Sequence, residues 1–339
     1  MRECNPADTM RPLCGVQNPE DIVALPDGRW LIASQFRRPG DPPGGLVAFT
    51  LDGDAVVTLV GVGVSGIRDD DPIFAANAAI CPGPLDPGEL EPHGIVLLVE
   101  DHPPWTLLVV NHGRRESVEI YTVAPTAGAP RVAWAGCVPL PEGMAGNDVV
   151  ALADGGLAVS ASQLLRSRLG WAAMFVKLTL GVTTGEVLEW QPDAGWRAVP
   201  GTRAAMPNGV AVTPDERWLF VADWARSRLI RVDRTGASER RVRDLPHHPD
   251  NLSWAPDGRL LVAGQVGSVH TAFACLDPKV RRCAQAFSVL AVDPERLEIT
   301  TLFTDDGHGM GAASSALRAG DTLVVGTWAG DRIVRMRVP

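Results

Sequence analysis

Apolar and polar residues alternate along residues 208–223, NGVAVTPDERWLFVAD, where Val210 and Val212 lie on one side of Pro214-Asp215 and Leu219 and Val221 on the other. A period of two marks a half-buried strand and Pro-Asp sets a tight turn, so the stretch predicts two antiparallel strands. The pattern returns at 20–33 (EDIVALPDGRWLIA), 147–160 (NDVVALADGGLAVS) and 250–263 (DNLSWAPDGRLLVA), each with its turn at the same offset and an acid or amide at its head. Divergent repeats of this kind predict one closed ring of small sheets rather than several domains.

Heads at Glu20, His93, Asn147, Asn208, Asp250 and Ser314 make six units. The expected fold is therefore all-β: a six-bladed β-propeller of four-stranded antiparallel blades, forming a single domain over residues 1–339. Residues 13–19 are expected to pair with the C-terminal sheet, closing the ring and removing an edge. Residues 62–92, rich in Pro, Gly and Asp, read as a long loop. Residues 161–182 break the alternation with Leu164, Leu165, Leu169, Trp171, Met174 and Phe175 among basic residues. That run reads as a short amphipathic helix covering one end of the ring; a pocket wall, or a patch for lipid or a partner subunit at 164–175, is the alternative.

Charge narrows the partners. With 31 basic against 40 acidic residues and a net charge of -9, the chain has no basic stripe to collect phosphates, and no nucleic-acid partner is expected. Hydrophobic residues at 45% suffice for a large core, but neither a signal-type apolar segment at the N-terminus nor a membrane-length run occurs, so a cytoplasmic enzyme, monomeric or homodimeric, is expected. The six cysteines at 4, 14, 81, 137, 275 and 283 lack close CxxC pairs. Cys275 and Cys283 flank a short charged turn and would bridge in an exported protein; buried or scattered thiols are the plainer expectation.

In a propeller the first strand of each blade lines the central channel, so Glu20, Asn147, Asn208, Asp250 and Asn251 are expected to meet near the axis. One Asn or Asp at a strand head caps a turn. Four repeats presenting such groups at one phase point to a shared ligand, and a set of hard carboxylate and amide oxygens suits calcium better than magnesium. His93 and His112, each taken alone, read as satisfied core or surface histidines.

Beyond these patterns, the segments PEDIVALPDG, PHGIVLL, LLVVNHGRRESVEIY, GNDVVAL, PNGVAVTPD, PDNLSWAPDG and SSALRAGDTLVVGT together resemble the calcium-dependent propellers of the paraoxonase family, within the wider SMP-30, gluconolactonase and strictosidine-synthase-like group. The most specific feature is HGI followed 19 residues later by the histidine of VVNH. The resemblance implies a catalytic calcium held by Glu20, Asn147, Asn208, Asp250 and Asn251, and a second, structural calcium held by Asp21, Asp148 and the carbonyl of Ile95. It makes His93 and His112 a dyad for hydrolysis of lactones, with aryl esters and phosphotriesters as further substrates; His93 is the expected base and Asp250 its alternative. The chain differs from the family in its 161–182 cover, and it has no C-terminal cysteine to pair with an N-terminal one. A sugar lactonase, a condensing strictosidine-synthase-like enzyme and a scaffolding propeller are the rival readings.

Overall fold

The computed structural model describes residues 10–59, 80–165, 167–234 and 239–338. Its hairpins grow from the turns the repeats carry. Asp27 accepts from the N–H groups of Arg29 and Trp30, and Gly28 takes φ 65°, a left-handed conformation that a residue without Cβ adopts freely. Asp154, Asp215 and Asp257 cap the equivalent turns in three further repeats.

Six four-stranded antiparallel sheets result. Blade I holds Pro19–Ala24, Trp30–Gln35, Gly45–Thr50 and Val56–Leu59; blade II holds Pro92–Leu98, Trp105–Asn111, Ser117–Ala124 and Arg131–Pro139. Blade III holds Met144–Ala151, Leu157–Gln163, Gly185–Gln191 and Gly195–Ala198; blade IV holds Pro207–Val212, Trp218–Asp223, Arg228–Asp233 and Arg240–Asp244. Blade V is built from His248–Trp254, Leu260–Gln265, Phe287–Val292 and Ile299–Asp305. Blade VI joins Ala313–Ala319, Thr322–Thr327 and Arg332–Arg337 to the N-terminal strand Arg11–Cys14. Each first strand touches the first strands of both neighbouring blades, which closes the ring of a six-bladed propeller. The core lies between blades, where alternating apolar faces meet: Ile32 and Leu46 of blade I pack with Leu107 and Val109 of blade II, and Phe220 of blade IV packs with Val262 and Leu290 of blade V.

The closing strand differs from the expected 13–19. Arg11 pairs with Arg335 and Cys14 with Arg332, and the strand stops at Gly15, whose φ of 85° turns the chain away. Residues 16–18 cross over, and Pro19 already belongs to blade I. The expected loop at 62–92 lies partly outside the described residues; its described end carries a single helical turn, Pro87–Glu89, and strand structure resumes at Pro92. Two helices complete the fold. Helix α1, Arg168–Thr179, starts at Ser167, whose hydroxyl accepts from Gly170 N–H; helix α2, Val269–Ala274, starts with a capping box between Ser268 and Thr271. Both connect second to third strands, so they sit on the face where the first strands begin. They meet through Phe175, whose ring lies 5.2 Å from that of Phe273.

The five described cysteines are all disulfide-bonded: Cys81 pairs with Cys137 and Cys275 with Cys283, and Cys14 is also bridged. The plainer expectation of scattered thiols is thereby corrected. No helix among the described residues is long and apolar enough to cross a membrane.

Candidate functional site

Every first strand carries one extra residue near its start. The register slips between Pro19 and Ile22, Pro92 and Ile95, Gly146 and Val149, Pro207 and Val210, Pro249 and Leu252, and Ala313 and Ala316. Such a bulge leaves two consecutive residues opposite one, freeing their side chains from the regular in-and-out alternation. This explains how neighbours such as Glu20-Asp21, Asn147-Asp148 and Asp250-Asn251 are all buried.

The second bulge residue joins blade to blade. Asp21 accepts from its neighbour Ile22 N–H with one oxygen and, at 2.8 Å, from Ile95 N–H of blade II with the other. Asp148 repeats the arrangement with Val149 and Val210 of blade IV. The receiving bulges carry glycine: a Cβ on Gly94 would lie 2.5 Å from Asp148 Oδ1, and one on Gly209 would lie 2.4 Å from the Asp250 carbonyl oxygen.

The first bulge residues Glu20, Asn147, Asn208 and Asp250, with the second bulge residue Asn251, supply the candidate ligands. Asn251 Nδ2 donates to Glu20 Oε1 at 2.7 Å, Ser314 Oγ donates to the Glu20 carbonyl at 2.6 Å, and the Asn208 side chain hydrogen-bonds Asp250. Glu20 Oε2 and the Oδ1 atoms of Asn147, Asn208 and Asn251 are buried without a hydrogen-bond partner. A desolvated acceptor left unpaired costs about 1–3 kcal/mol, and four of them, spread over the first strands of four blades, fit a cation with a wide oxygen shell. The expected amide and carboxylate ligands are thus the atoms left unsatisfied. Among the described residues no group of three or more His, Cys, Asp or Glu side chains forms a metal cluster; this set draws most of its oxygens from amides.

Burial drives the Glu20 carboxyl well above the usual carboxylate range, and Asp21, Asp250 and Asp148 push it further the same way. Burial likewise raises Asp21 and Asp250 to about 7 each, against hydrogen bonds that favour their charged forms, and raises Asp148 with Asp21 adding to the effect. Among the described residues none of these four carboxylates has an Arg or Lys ion pair. Their crowding fits a central positive charge.

Two expected residues stand together and one step back. His93 Nδ1 lies 2.9 Å from His112 Nε2, and His93 Nε2 lies 3.7 Å from Glu20 Oε1. Burial lowers the His93 pKa well below the usual imidazole value, and His112 adds to the shift, which keeps the ring neutral. Phe36 from the loop after blade I's second strand packs 4.7 Å from the His93 ring. Ile95 meets Asp21 through its N–H.

Two further residues are absent from the sequence expectation. His112 Nδ1 lies 2.8 Å from Glu116 Oε2, because the turn at 113–115, with Arg114 at φ 55°, returns the chain so that the residues on either side face each other. A histidine and a glutamate flanking a tight hairpin turn are the signal that finds this pair. Gln265, fully buried, donates to Asp250 Oδ2 at 2.5 Å and accepts from Trp224 Nε1 at 2.8 Å. It closes a second strand at the same offset from Asp250 as Gln35 has from Glu20.

The family model described as arylesterase matches residues 13–332 of the chain. No curated protein sequence matches it. Among solved structures, a luciferin-regenerating enzyme is similar at 13% identity with a TM-score of 0.59, covering 96% of this chain and 92% of that one. A calcium-binding protein, regucalcin from Agrobacterium tumefaciens strain C58, is similar at 11% identity and a TM-score of 0.50, covering 96% and 92%. At these identities the structures share the fold.

Proposed function

Because the chain belongs to the arylesterase family, within the SMP-30, gluconolactonase and strictosidine-synthase propeller superfamily, we propose that it is a calcium-dependent hydrolase of lactones and aryl esters, with phosphotriesters as further substrates. The reading covers residues 1–339 as one domain acting on a small molecule. It is carried by the four unpaired buried oxygens of Glu20, Asn147, Asn208 and Asn251 beside Asp250, a set matched to calcium in hardness and number. Bound there, the ion would supply positive charge where the carbonyl oxygen of the ester gains negative charge. Asp21, Asp148 and the Ile95 carbonyl are assigned to a second, structural calcium.

His93 Nε2 is assigned as the acceptor of the proton from the attacking water. The water oxygen forms the new bond to the carbonyl carbon, and the ester C–O bond breaks as the alcohol oxygen leaves and takes up a proton. His112 orients His93 through the Nδ1 contact. Asp250 is the alternative acceptor, and Gln265 holds one of its oxygens. The disulfides favour an oxidising compartment over the expected cytoplasm.

The test combines chelation with His93→Gln, Asp250→Asn and Asn208→Ala, assayed on lactones, aryl esters and phosphotriesters with bound metal measured in each variant. Chelation is expected to abolish turnover and lower the thermal midpoint, and Asn208→Ala is expected to weaken calcium binding. Loss of lactonase turnover in His93→Gln with calcium retained assigns the base to His93. Turnover and midpoint indifferent to both chelation and Asn208→Ala would overturn the metal centre; preference for sugar lactones would move the assignment to the gluconolactonase-like class.

A further inference from the structure

The rings of His93 and His112 leave open which nitrogen of each carries the proton, and the chemistry depends on the answer. A carboxylate only accepts hydrogen bonds, so at 2.8 Å from Glu116 Oε2 the proton of His112 belongs on Nδ1. Neutral His112 is then bare at Nε2 and can only accept, which puts the proton of His93 on Nδ1, 2.9 Å away. Neutral His93 is left with its lone pair on Nε2, the nitrogen nearest Glu20. Without an acceptor at 116 this order loses its anchor, and the reversed chain, Nε2–H on both rings, points an N–H toward the site where a base is required.

We propose that Glu116 is a positioning residue that fixes the tautomers of His112 and His93, so that the lone pair of His93 faces the substrate. Its place suits that role. The Glu116 and His112 side chains are only 16% and 21% exposed, which protects their contact from competing water. The Glu116 carbonyl separately accepts from Leu140 N–H, so exchanging the side chain leaves the backbone pairing of the hairpin intact. The inference rests on the hydrolase reading above, with His93 as base.

The test uses Glu116→Leu and Glu116→Gln in the full chain, with nitrogen-15-labelled histidine read by NMR and steady-state kinetics on a lactone at saturating calcium. In the unsubstituted protein His112 is expected as the Nδ1–H tautomer. Glu116→Leu should shift it toward Nε2–H and reduce kcat on the order of 10–100-fold with KM unchanged, the scale seen when a partner behind a site histidine is removed. Glu116→Gln should restore most of both, since its amide oxygen accepts the same proton. A His112 signal already of the Nε2–H form overturns the inference. So does undiminished kcat in Glu116→Leu when His93→Gln and His112→Gln are inactive, a result that leaves the dyad standing. Full turnover in His93→Gln instead removes the dyad and the inference with it.

Discussion

His247 lies just before the Asp250 repeat, buried, with Nδ1 2.6 Å from Ser288 Oγ and Nε2 unpartnered. Burial, with His248 beside it, pushes its pKa from 6.5 down to about 3, against a hydrogen bond to the Ser288 backbone. The folded protein therefore holds the ring neutral at pH values where the unfolded chain takes up a proton. A depressed folded value stabilises fully above the unfolded pKa and loses that contribution as pH falls from 6.5 toward 3. His247→Gln should flatten the fall in unfolding free energy across this window by on the order of a few kcal/mol, measured by denaturant titration against pH. An equal slope in both proteins would place the acid sensitivity elsewhere. At this scale the sequence was readable where residues recur in phase: Glu20, Asn147, Asn208 and Asp250 head repeated segments, and their shared position suggested a shared ligand. Glu116 was not readable, because a hairpin turn brings it to its partner without any repeat to mark it; Gln265 recurs as Gln35 in the first repeat, a signal the strand pattern alone did not connect to Asp250.

The bulge is the element that turns a strand head into part of a site. Asp21 and Asp148 reach across into the next blade, and Gly94 leaves room for Asp148 as Gly209 does for the Asp250–Asn251 backbone. Gly94→Ala would set a Cβ 2.6 Å from Asp148 Cα and 2.7 Å from the Asn147 carbonyl oxygen, both backbone atoms. It should cost about 1–3 kcal/mol or more, with weakened calcium binding because Asn147 must move. Gly88→Ala is the control, since nothing lies within 4 Å of its added methyl. Thermal unfolding of the two variants with and without calcium checks this; equal midpoints would mean that the bulge yields without cost. The strands were legible because a period of two is a strong signal. The bulges were not, since one extra residue leaves the alternation intact on both sides. Helix α2 was missed because six residues are too few to show a helical period. Helix α1 starts within the run expected to interrupt the strands, and buries Met174 and Leu178 against Ala205 and Trp224 while Leu169, Trp171, Val176 and Leu180 remain exposed.

At the scale of the ring, closure is local to a few residues. Leu13 is buried against its partner strand at Ile333, and Arg335 reaches back to the carbonyls of Leu51 and Gly53 and to Asp54 in blade I. Removing residues 1–14 should bare the Arg332–Arg337 edge, lower the thermal midpoint and promote self-association through that edge, seen as a concentration-dependent species on size exclusion. A monomer of unchanged midpoint would show that closure contributes little. Six units and a closing strand were legible because every blade repeats the same hairpin; the position of the closure was shifted because Gly15 and the crossover after it, rather than hydrophobic pattern, decide where the strand ends. The second bulge residues around the ring read Asp21, Gly94, Asp148, Gly209, Asn251, Ser315, a longer polar side chain followed each time by a small residue. The modular unit is thus a pair of blades, with an approximate threefold character inside a six-bladed body. Duplicating or deleting one blade would break this alternation, whereas recombination in pairs preserves it; a chain built this way is expected to diversify by twos.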